Sequence, residues 1–360
     1  MKREVKQQII NKTNELLAYL DSMSCGEPVR FTNEEVAQIL EKEKDGALNN
    51  YNIAIKKFQE RNNGSVPAKV RRFVVYWGYP GAGKSVMTQK LIERFAHDED
   101  CLPFNIIDKD EHRSLFPNLF DHLRGGHIDE CERFAGVTID YVRKILDLSL
   151  ENGRRSVLSV GSMGAGTEFK DNALKAIESG YKPCAVYMAV NPDIAYLSNI
   201  YRSATLYDKI IFQNQQLYPR LVSSEYFNGV VKSLPNMIER IDKFQRENSE
   251  HVDLLVVNRS NELLYDSRFP HLNNVKEIIK QEEERPLKPE EIITIRQQLH
   301  KIHENMKYRY ENNIYSPVRS EVEVAKVAIS NIRDLIAKQP EDRENYALRT
   351  VFLDKTANDR

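Results

Sequence analysis

The sequence predicts an α/β fold, in which helices flank an open, mostly parallel sheet and helical extensions precede and follow it. Two observations support this prediction. Between residues 67 and 270, short apolar runs alternate with helical periodicity, and continuously apolar runs are typical of strands buried on both faces of a parallel sheet. Outside this segment, apolar residues recur only at helical spacing. The five strand-like runs are residues 73–77, 104–107, 157–160, 185–188 and 254–257.

The first of three regions, residues 1–66, is predicted to be helical. Thr32 and Glu35 form a capping-box pattern ahead of an apolar helical face, which predicts that a helix begins there. The polar run at 61–67 combines asparagine, glycine and proline, and this composition is typical of a linker. We therefore place a domain boundary at residue 66.

The second region, residues 67–270, is the α/β domain, and the third, residues 271–360, is a highly charged helical tail. Pro289 suits the first turn of a helix, where its missing N–H group has no partner to lose. A second helical pattern runs from Val322 to Ile336. The sequence thus predicts two helical extensions around one α/β domain.

Charge and composition disfavour two classes of partner. The chain has 52 basic and 53 acidic side chains, a formal net charge of −1, so no long-range field attracts it to nucleic acid or anionic lipid. Neither a signal peptide nor an apolar run long enough to span a membrane is evident. The four cysteines are scattered, which favours reduced thiols in the cytoplasm, although a translocated effector without a cleaved signal would show the same features.

Residues 78–85 match the phosphate-loop pattern G-x-x-x-x-G-K-[ST] in full. The loop follows a strand-like run and precedes a helical one, which is the order that phosphate binding requires. Glycines let backbone amides turn towards phosphates, Lys84 reaches the β and γ phosphates, and the Ser85 hydroxyl binds Mg²⁺. We therefore predict a P-loop NTPase-type fold that uses ATP or GTP with Mg²⁺. The predicted nucleotide-binding residues are Gly78, Tyr79, Pro80, Gly81, Ala82, Gly83, Lys84, Ser85 and Val86.

Acids follow the second strand, and two arginines lie further along the chain. Asp108 and Asp110 would stand at the carboxyl end of a strand beside the phosphate loop, where a carboxylate can hold the metal or accept a substrate proton. Arg202 and Arg220 flank a segment at 203–219 that could serve as a lid, and arginine suits the charge that develops in phosphoryl transfer. On spacing alone, these four residues are weak candidates.

Four sequence features together resemble the zeta toxin family, kinases that phosphorylate a hydroxyl of UDP-N-acetylglucosamine. The resemblance covers roughly residues 72–268. It rests on the phosphate loop, on Ile107-Asp108-Lys109-Asp110 with Pro117, on Gly180-Tyr181 with Tyr187-Met188-Ala189-Val190 and Arg202, and on Arg220 followed by Val230–Pro235, Val257-Asn258-Arg259 and Leu264-Tyr265.

This resemblance implies a role for each matching residue. Lys84 and Ser85 match the phosphate-binding and metal-binding residues of the family. Asp110 matches the general base that deprotonates the sugar hydroxyl. Arg202 and Arg220 match the two arginines that clamp the transferring phosphate. The predicted catalytic residues are therefore Asp110, Lys84, Arg202 and Arg220, and the predicted metal ligands are Ser85 and Asp108.

The predicted substrate pocket departs from the family. Where zeta toxins use a glutamate in the helix before the third strand, this chain has Arg143 or Lys144, depending on the register. The third strand ends without the family's second glutamate. Just beyond it, Ser162 could replace the hydroxyl of the threonine that zeta toxins have there. A cation here favours an acceptor that carries a phosphate, such as a dinucleotide, although the same side chain could simply point to solvent. We predict that Asp110, Lys144 and Ser162 bind the acceptor.

Three functional hypotheses follow. The first is an active kinase acting on a nucleotide-containing small molecule. The second is a non-catalytic nucleotide-binding module that engages a protein partner, and the third is a nucleic-acid end kinase. An antitoxin or inhibitory protein is a further predicted partner, since zeta toxins are normally restrained by a helical antitoxin; residues 1–66 could act as a built-in guard instead.

Overall fold

The computed structural model describes residues 1–28, 30–98, 100–108, 142–151, 153–161, 166–213, 221–269 and 274–341. Its centre is a six-stranded sheet in the order β2-β3-β1-β4-β5-β6, in which the first five strands run parallel and β6 pairs antiparallel with β5. The strands are β1 (Arg72–Trp77), β2 (Phe104–Asp108), β3 (Ser156–Val160), β4 (Lys182–Ala189), β5 (Asp253–Asn258) and β6 (Leu263–Asp266).

The predicted fold class is confirmed: the sheet is mostly parallel and helices flank it. The five strand-like runs coincide with β1 to β5, whose residues are almost all buried. The sequence-based expectation did not include β6. This strand is short and half-exposed at the sheet edge, so it lacks the continuous apolar run that identified the others.

Helices flank the sheet. In the chain they precede the first strand, alternate with the strands and follow the last one. They are α1 (Arg3–Ser22), α2 (Asn33–Asn63), α3 (Lys84–Asp98), α4 (142–151), α5 (Phe169–Glu178), α6 (Pro192–Gln213), α7 (Ser224–Glu247), α8 (Val275–Glu284), α9 (Pro289–Glu311) and α10 (Arg319–Lys338). The expected helix start at Pro289 is confirmed, and α10 contains the pattern from Val322 to Ile336.

The second helix, α2, has the predicted capping box, but it extends further than expected, into the predicted linker. The Glu35 amide donates to the Thr32 hydroxyl at 3.2 Å, and the Thr32 amide donates to the Glu35 carboxylate at 2.7 Å. The helix continues to Asn63, well into the polar run that indicated a linker. The reason is tertiary: Asn62 is buried and accepts a 3.0 Å hydrogen bond from Asn105 of β2. A distant strand thus stabilises a helix end that the local composition disfavours.

The two helical extensions meet each other. Helix α1 packs against α10 and α9, and both of these pack against α6 of the α/β segment. Between α9 and α10, the buried Arg309 guanidinium makes two parallel hydrogen bonds with the Glu321 carboxylate, at 2.6 and 2.8 Å. The division at residues 66 and 270 stays a prediction, but the helices outside it share one apolar core with the sheet.

Within the described part of the chain, no helix is both long and apolar enough to cross a membrane.

Candidate active site

The phosphate loop lies at the centre of the sheet, between β1 and α3. Strand β1 pairs in parallel with β3 on one side and with β4 on the other, so three neighbouring strands end at the same edge. In open parallel sheets, ligands bind beyond the carboxyl ends of the strands. The loop then leads directly into α3, whose first residue is Lys84, so the positive end of that helix dipole faces the loop.

Two glycines let the loop take this shape. Gly81 has a φ of +80°, and a Cβ atom there would lie 2.1 Å from the carbonyl oxygen of Ala195 in α6. Gly83 has a φ of +104°, and a Cβ atom would contact the Arg259 side chain at 3.5 Å. Positive φ disfavours any residue with a side chain, and the close approach of α6 excludes one at Gly81 in any case.

The Lys84 ammonium lies inside the loop. The side chain is 9% exposed, and its Nζ donates to the carbonyl oxygens of Gly78 at 3.0 Å and Tyr79 at 2.8 Å. Because these acceptors belong to the loop itself, the ammonium is held where phosphate oxygens would meet the loop's backbone amides. The phosphate-binding role of Lys84 stays a prediction.

Ser85 and Asp108 come together although 23 residues separate them. The Ser85 hydroxyl donates to Asp108 Oδ2 at 3.2 Å, across the carboxyl end of β2. A hydroxyl and a carboxylate side by side form an oxygen donor pair of the kind that Mg²⁺ prefers when phosphates supply further ligands. No cluster of three or more His, Cys, Asp or Glu side chains that could hold a metal occurs among the described residues. The two oxygen donors of the Ser85–Asp108 pair would suit an Mg²⁺ ion that phosphates also bind.

Arg202 reaches the loop through Asn199. Both residues lie in α6, one turn apart, and an Arg202 Nη atom donates to Asn199 Oδ1 at 2.9 Å. Asn199 is fully buried, and its backbone nitrogen lies 2.8 Å from the position that a Cβ atom of Gly81 would occupy. The packing of α6 on Gly81 thus places Asn199, which Arg202 contacts, against the phosphate loop.

Arg259 belongs to one of the motifs that resemble the zeta toxin family, but the resemblance implies no role for it. In the structure, Arg259 lies beside the phosphate loop. An Nη atom of Arg259 donates to the Ser198 hydroxyl at 2.8 Å, and Gln298 of α9 donates to the same hydroxyl at 3.0 Å. Burial lowers the pKa of the Arg259 guanidinium, and the charge of Glu291 partly opposes this shift. A desolvated cation therefore stands next to Gly83.

The remaining predicted residues divide into two groups. Asp110, Ser162 and Arg220 lie outside the described residues. Arg143 and Lys144, the alternatives for the substrate cation, are exposed on α4. Arg143 pairs with Glu168 at 2.8 Å, and the Lys144 ammonium lies 5.7 Å from the centre of the Tyr51 ring in α2. The role of each in acceptor binding stays a prediction.

Within the predicted nucleotide-binding run, the side chains of Tyr79 and Val86 differ in exposure. The Tyr79 side chain is only 2% exposed, so this residue can meet a nucleotide through its backbone alone. Val86, at the start of α3, is 76% exposed.

Solved structures with a similar fold include that of the PezAT chromosomal toxin–antitoxin system of Streptococcus pneumoniae. The solved chain from that system is 17% identical to the present chain, with a TM-score of 0.53. The match covers 71% of the present chain and 96% of the solved one. At this identity the likeness concerns the fold alone. The AvrRxo1-ORF1:AvrRxo1-ORF2 complex with sulphate ions matches at 13% identity and a TM-score of 0.45, covering 85% of this chain and 97% of the other. No curated protein sequence matches the chain.

The sequence model of the zeta toxin family matches residues 55–269, which is more than half of the chain. This span contains the phosphate loop, the Ser85–Asp108 pair, Arg202 of α6, and Arg259, which follows β5. Members of the family are kinases, so the match supports a toxin-kinase-like function. The resemblance that the sequence motifs indicated is confirmed: the chain belongs to the zeta toxin family.

Proposed function

We propose that this chain is a kinase that transfers the γ-phosphate of ATP or GTP to a hydroxyl group of a small, nucleotide-containing molecule. The observation that carries the proposal is the grouping of Lys84 and the Ser85–Asp108 pair at the phosphate loop, with Arg202 linked to the loop through Asn199. A module that only binds nucleotides has no use for a general base, which the family resemblance assigns to Asp110. Phosphoryl transfer needs such a base, and it gains from cations near the loop because charge develops on the transferring group.

Each residue has a defined task in this reaction. Lys84 and Arg202 offset the negative charge that spreads over the phosphoryl oxygens, and Arg220 adds a second guanidinium as the family resemblance implies. Asp110 accepts the proton of the acceptor hydroxyl, whose oxygen bonds to the γ phosphorus while the bond to the β–γ bridging oxygen breaks. Ser85 and Asp108 would hold Mg²⁺, which supplies charge neutralisation between the β and γ phosphates.

Arg259 is a further donor-binding residue in this proposal. Its guanidinium lies beside Gly83, and Ser198 and Gln298 fix its direction. The charged form is desolvated there. A desolvated guanidinium gains most when it meets an anion, and the phosphates of the donor are the anions that the loop recruits.

The acceptor that we favour is not UDP-N-acetylglucosamine held in the family's manner. The sugar-binding glutamates are replaced, and Arg143 or Lys144 brings a cation to the helix before β3. A phosphate-bearing acceptor, such as a dinucleotide, suits a cation better than an uncharged sugar does. Asp110, Lys144 and Ser162 are the residues that we assign to acceptor binding.

The test uses ATP or GTP labelled on the γ-phosphate, incubated with the protein and a metabolite extract. We expect a labelled small molecule, identifiable by mass spectrometry, that disappears with Asp110→Asn while Mg-ADP binding persists. Turnover by Asp110→Asn equal to that of the wild type would refute the role of Asp110. Bound nucleotide without any transfer would favour the non-catalytic module, and label on oligonucleotide ends would favour the nucleic-acid end kinase.

An antitoxin or another inhibitory protein is the macromolecular partner that we propose. Family membership supports this, and the PezAT structure belongs to a toxin–antitoxin system. We propose the cytoplasm as the compartment, on the composition of the sequence, and a translocated effector is the alternative.

A further inference from the structure

The Tyr79 side chain enters a buried polar cluster behind the phosphate loop. Its ring packs against Tyr187 of β4, with centroids 6.5 Å apart, and against Phe227 of α7, with centroids 5.8 Å apart. The Tyr187 hydroxyl donates to the Glu283 carboxylate of α8 at 2.9 Å, and the Tyr79 hydroxyl also hydrogen-bonds with Glu283. One carboxyl group thus receives two tyrosine hydroxyls.

This cluster contains Tyr79, one of the two residues whose carbonyl groups hold the Lys84 ammonium. The Tyr79 carbonyl accepts the shorter of the two hydrogen bonds from Lys84, at 2.8 Å, and the Gly78 carbonyl accepts the other. The ring and the carbonyl of Tyr79 are attached to the same Cα atom, so the contacts that fix the ring among Tyr187, Phe227 and Glu283 also restrict where that Cα atom and its carbonyl can lie. The anchoring of the ring therefore helps to hold the backbone of the loop in place.

Glu283 is itself fixed by a second contact. The Asn191 side chain donates to the Glu283 carbonyl at 2.9 Å, and its other end caps α6 by accepting from the Asp193 amide at 3.0 Å. The same helix α6 approaches Gly81. Helix α8 lies beyond residue 269, where the match to the zeta toxin family ends. The contact to the phosphate loop thus comes from the C-terminal extension of this chain.

We propose that Glu283 is a positioning residue of the nucleotide site: by holding Tyr79 it keeps the phosphate loop in its binding shape. It touches neither the nucleotide nor the acceptor, and its effect passes through Tyr79 to Lys84. This inference rests on the proposed use of the loop for a nucleotide. It does not depend on the identity of the acceptor.

The experiment measures the dissociation constant of Mg-ADP by calorimetry for the full chain and four variants. Glu283→Ala removes the acceptor of both hydroxyls, and we expect binding about tenfold weaker, which corresponds to about 1.4 kcal/mol, because two hydrogen bonds that anchor Tyr79 and Tyr187 are lost. Glu283→Gln keeps the size and one acceptor oxygen and should remain within about threefold of the wild type. Tyr187→Phe keeps the ring and should weaken binding by about threefold. The control, Glu284→Gln, changes an exposed neighbour and should bind like the wild type.

Several outcomes separate this inference from the proposed function. Wild-type protein that binds neither Mg-ADP nor Mg-ATP would overturn the nucleotide site and this inference with it. Normal binding by both Glu283→Ala and Tyr187→Phe would overturn the inference alone. If Glu283→Ala does not fold, Tyr187→Phe decides. Weakened binding in Glu283→Ala with recovery in Glu283→Gln, at unfolding temperatures no lower than that of the wild type, supports the inference, because a merely structural role would lower the unfolding temperature.

Discussion

Glu283 makes the stability of the protein depend on pH near neutrality. Burial raises the pKa of its carboxyl group from 4.5 to about 7; hydrogen bonds from Tyr187 and Tyr79 oppose this shift, and the charge of Glu284 adds to it. An acid whose pKa is higher in the folded state binds more protons there than in the unfolded chain. Its contribution to stability therefore falls as the pH rises from about 4.5 to about 7, and the full penalty applies above that range.

We expect the variant Glu283→Gln, which stays neutral, to reveal this effect. Between pH 4.5 and 8, the free energy of unfolding of the wild type should fall relative to that of the variant by up to about 3 kcal/mol. Urea denaturation at several pH values measures this difference. A difference that does not change with pH would show that the carboxyl group keeps its ordinary pKa in the folded protein.

At the same scale, the sequence predicts local partners better than distant ones. The loop pattern identifies Lys84 and Ser85, and the structure places Asp108 beside Ser85, while the metal-binding role of this pair stays a prediction. Arg259 contacts Ser198, 61 residues away, and Glu283 contacts Tyr187, 96 residues away. No local pattern encodes such contacts, because the strand order of the sheet and the packing of the C-terminal helices create them.

At the scale of elements, helix α9 supports the nucleotide site from a distance. Its Gln298 side chain donates to the Ser198 hydroxyl, which in turn accepts from Arg259 beside Gly83. We expect Arg259→Gln to weaken Mg-ADP binding about tenfold, since it removes a charge-assisted contact to phosphate. Gln298→Ala should weaken it about threefold, because Arg259 keeps its charge and loses only part of its support.

The matched control for these variants is Arg296→Gln, which removes a positive charge from the exposed face of the same helix. It should leave Mg-ADP binding unchanged, because long-range attraction between exposed charges is screened by salt. Equal weakening by Arg296→Gln and Arg259→Gln would mean that only the net charge matters. Unchanged binding with Arg259→Gln would remove Arg259 from the donor site.

Element boundaries show the same limit of local reasoning. Strands β1 to β5 were predictable because both faces of each strand are buried, which leaves a continuous apolar run in the sequence. The end of α2 was not predictable, because the Asn62–Asn105 hydrogen bond holds a polar segment in helical form. Residues 203–213 of the segment at 203–219, suggested as a lid, belong to α6, which runs to Gln213.

At the scale of the whole molecule, the helical extensions and the sheet share one core. Apolar residues of α1, such as Leu16, and of α10, such as Ile332, belong to the same buried cluster as β1. Three independently folded regions would instead have separate cores joined by linkers. The shared core predicts that the chain unfolds as one cooperative unit, although the sequence changes character near residues 66 and 270.

The buried pair between Arg309 and Glu321 allows a direct test of this cooperativity. Glu321→Gln leaves the Arg309 guanidinium buried without a full countercharge, so we expect a loss of about 3–5 kcal/mol of stability. The matched control is Glu323→Gln, which breaks an exposed pair with Arg319 and should cost less than about 1 kcal/mol.

Two probes follow unfolding: circular dichroism of the helices, and fluorescence of Trp77, the single tryptophan, buried at the end of β1 beside the phosphate loop. Although Arg309 and Glu321 lie in the C-terminal extension, both probes should shift together to lower temperature, because a loss of stability in one cooperative unit is felt throughout it. A Trp77 transition that stays in place while the helical signal shifts would show that the α/β domain folds independently of the extensions.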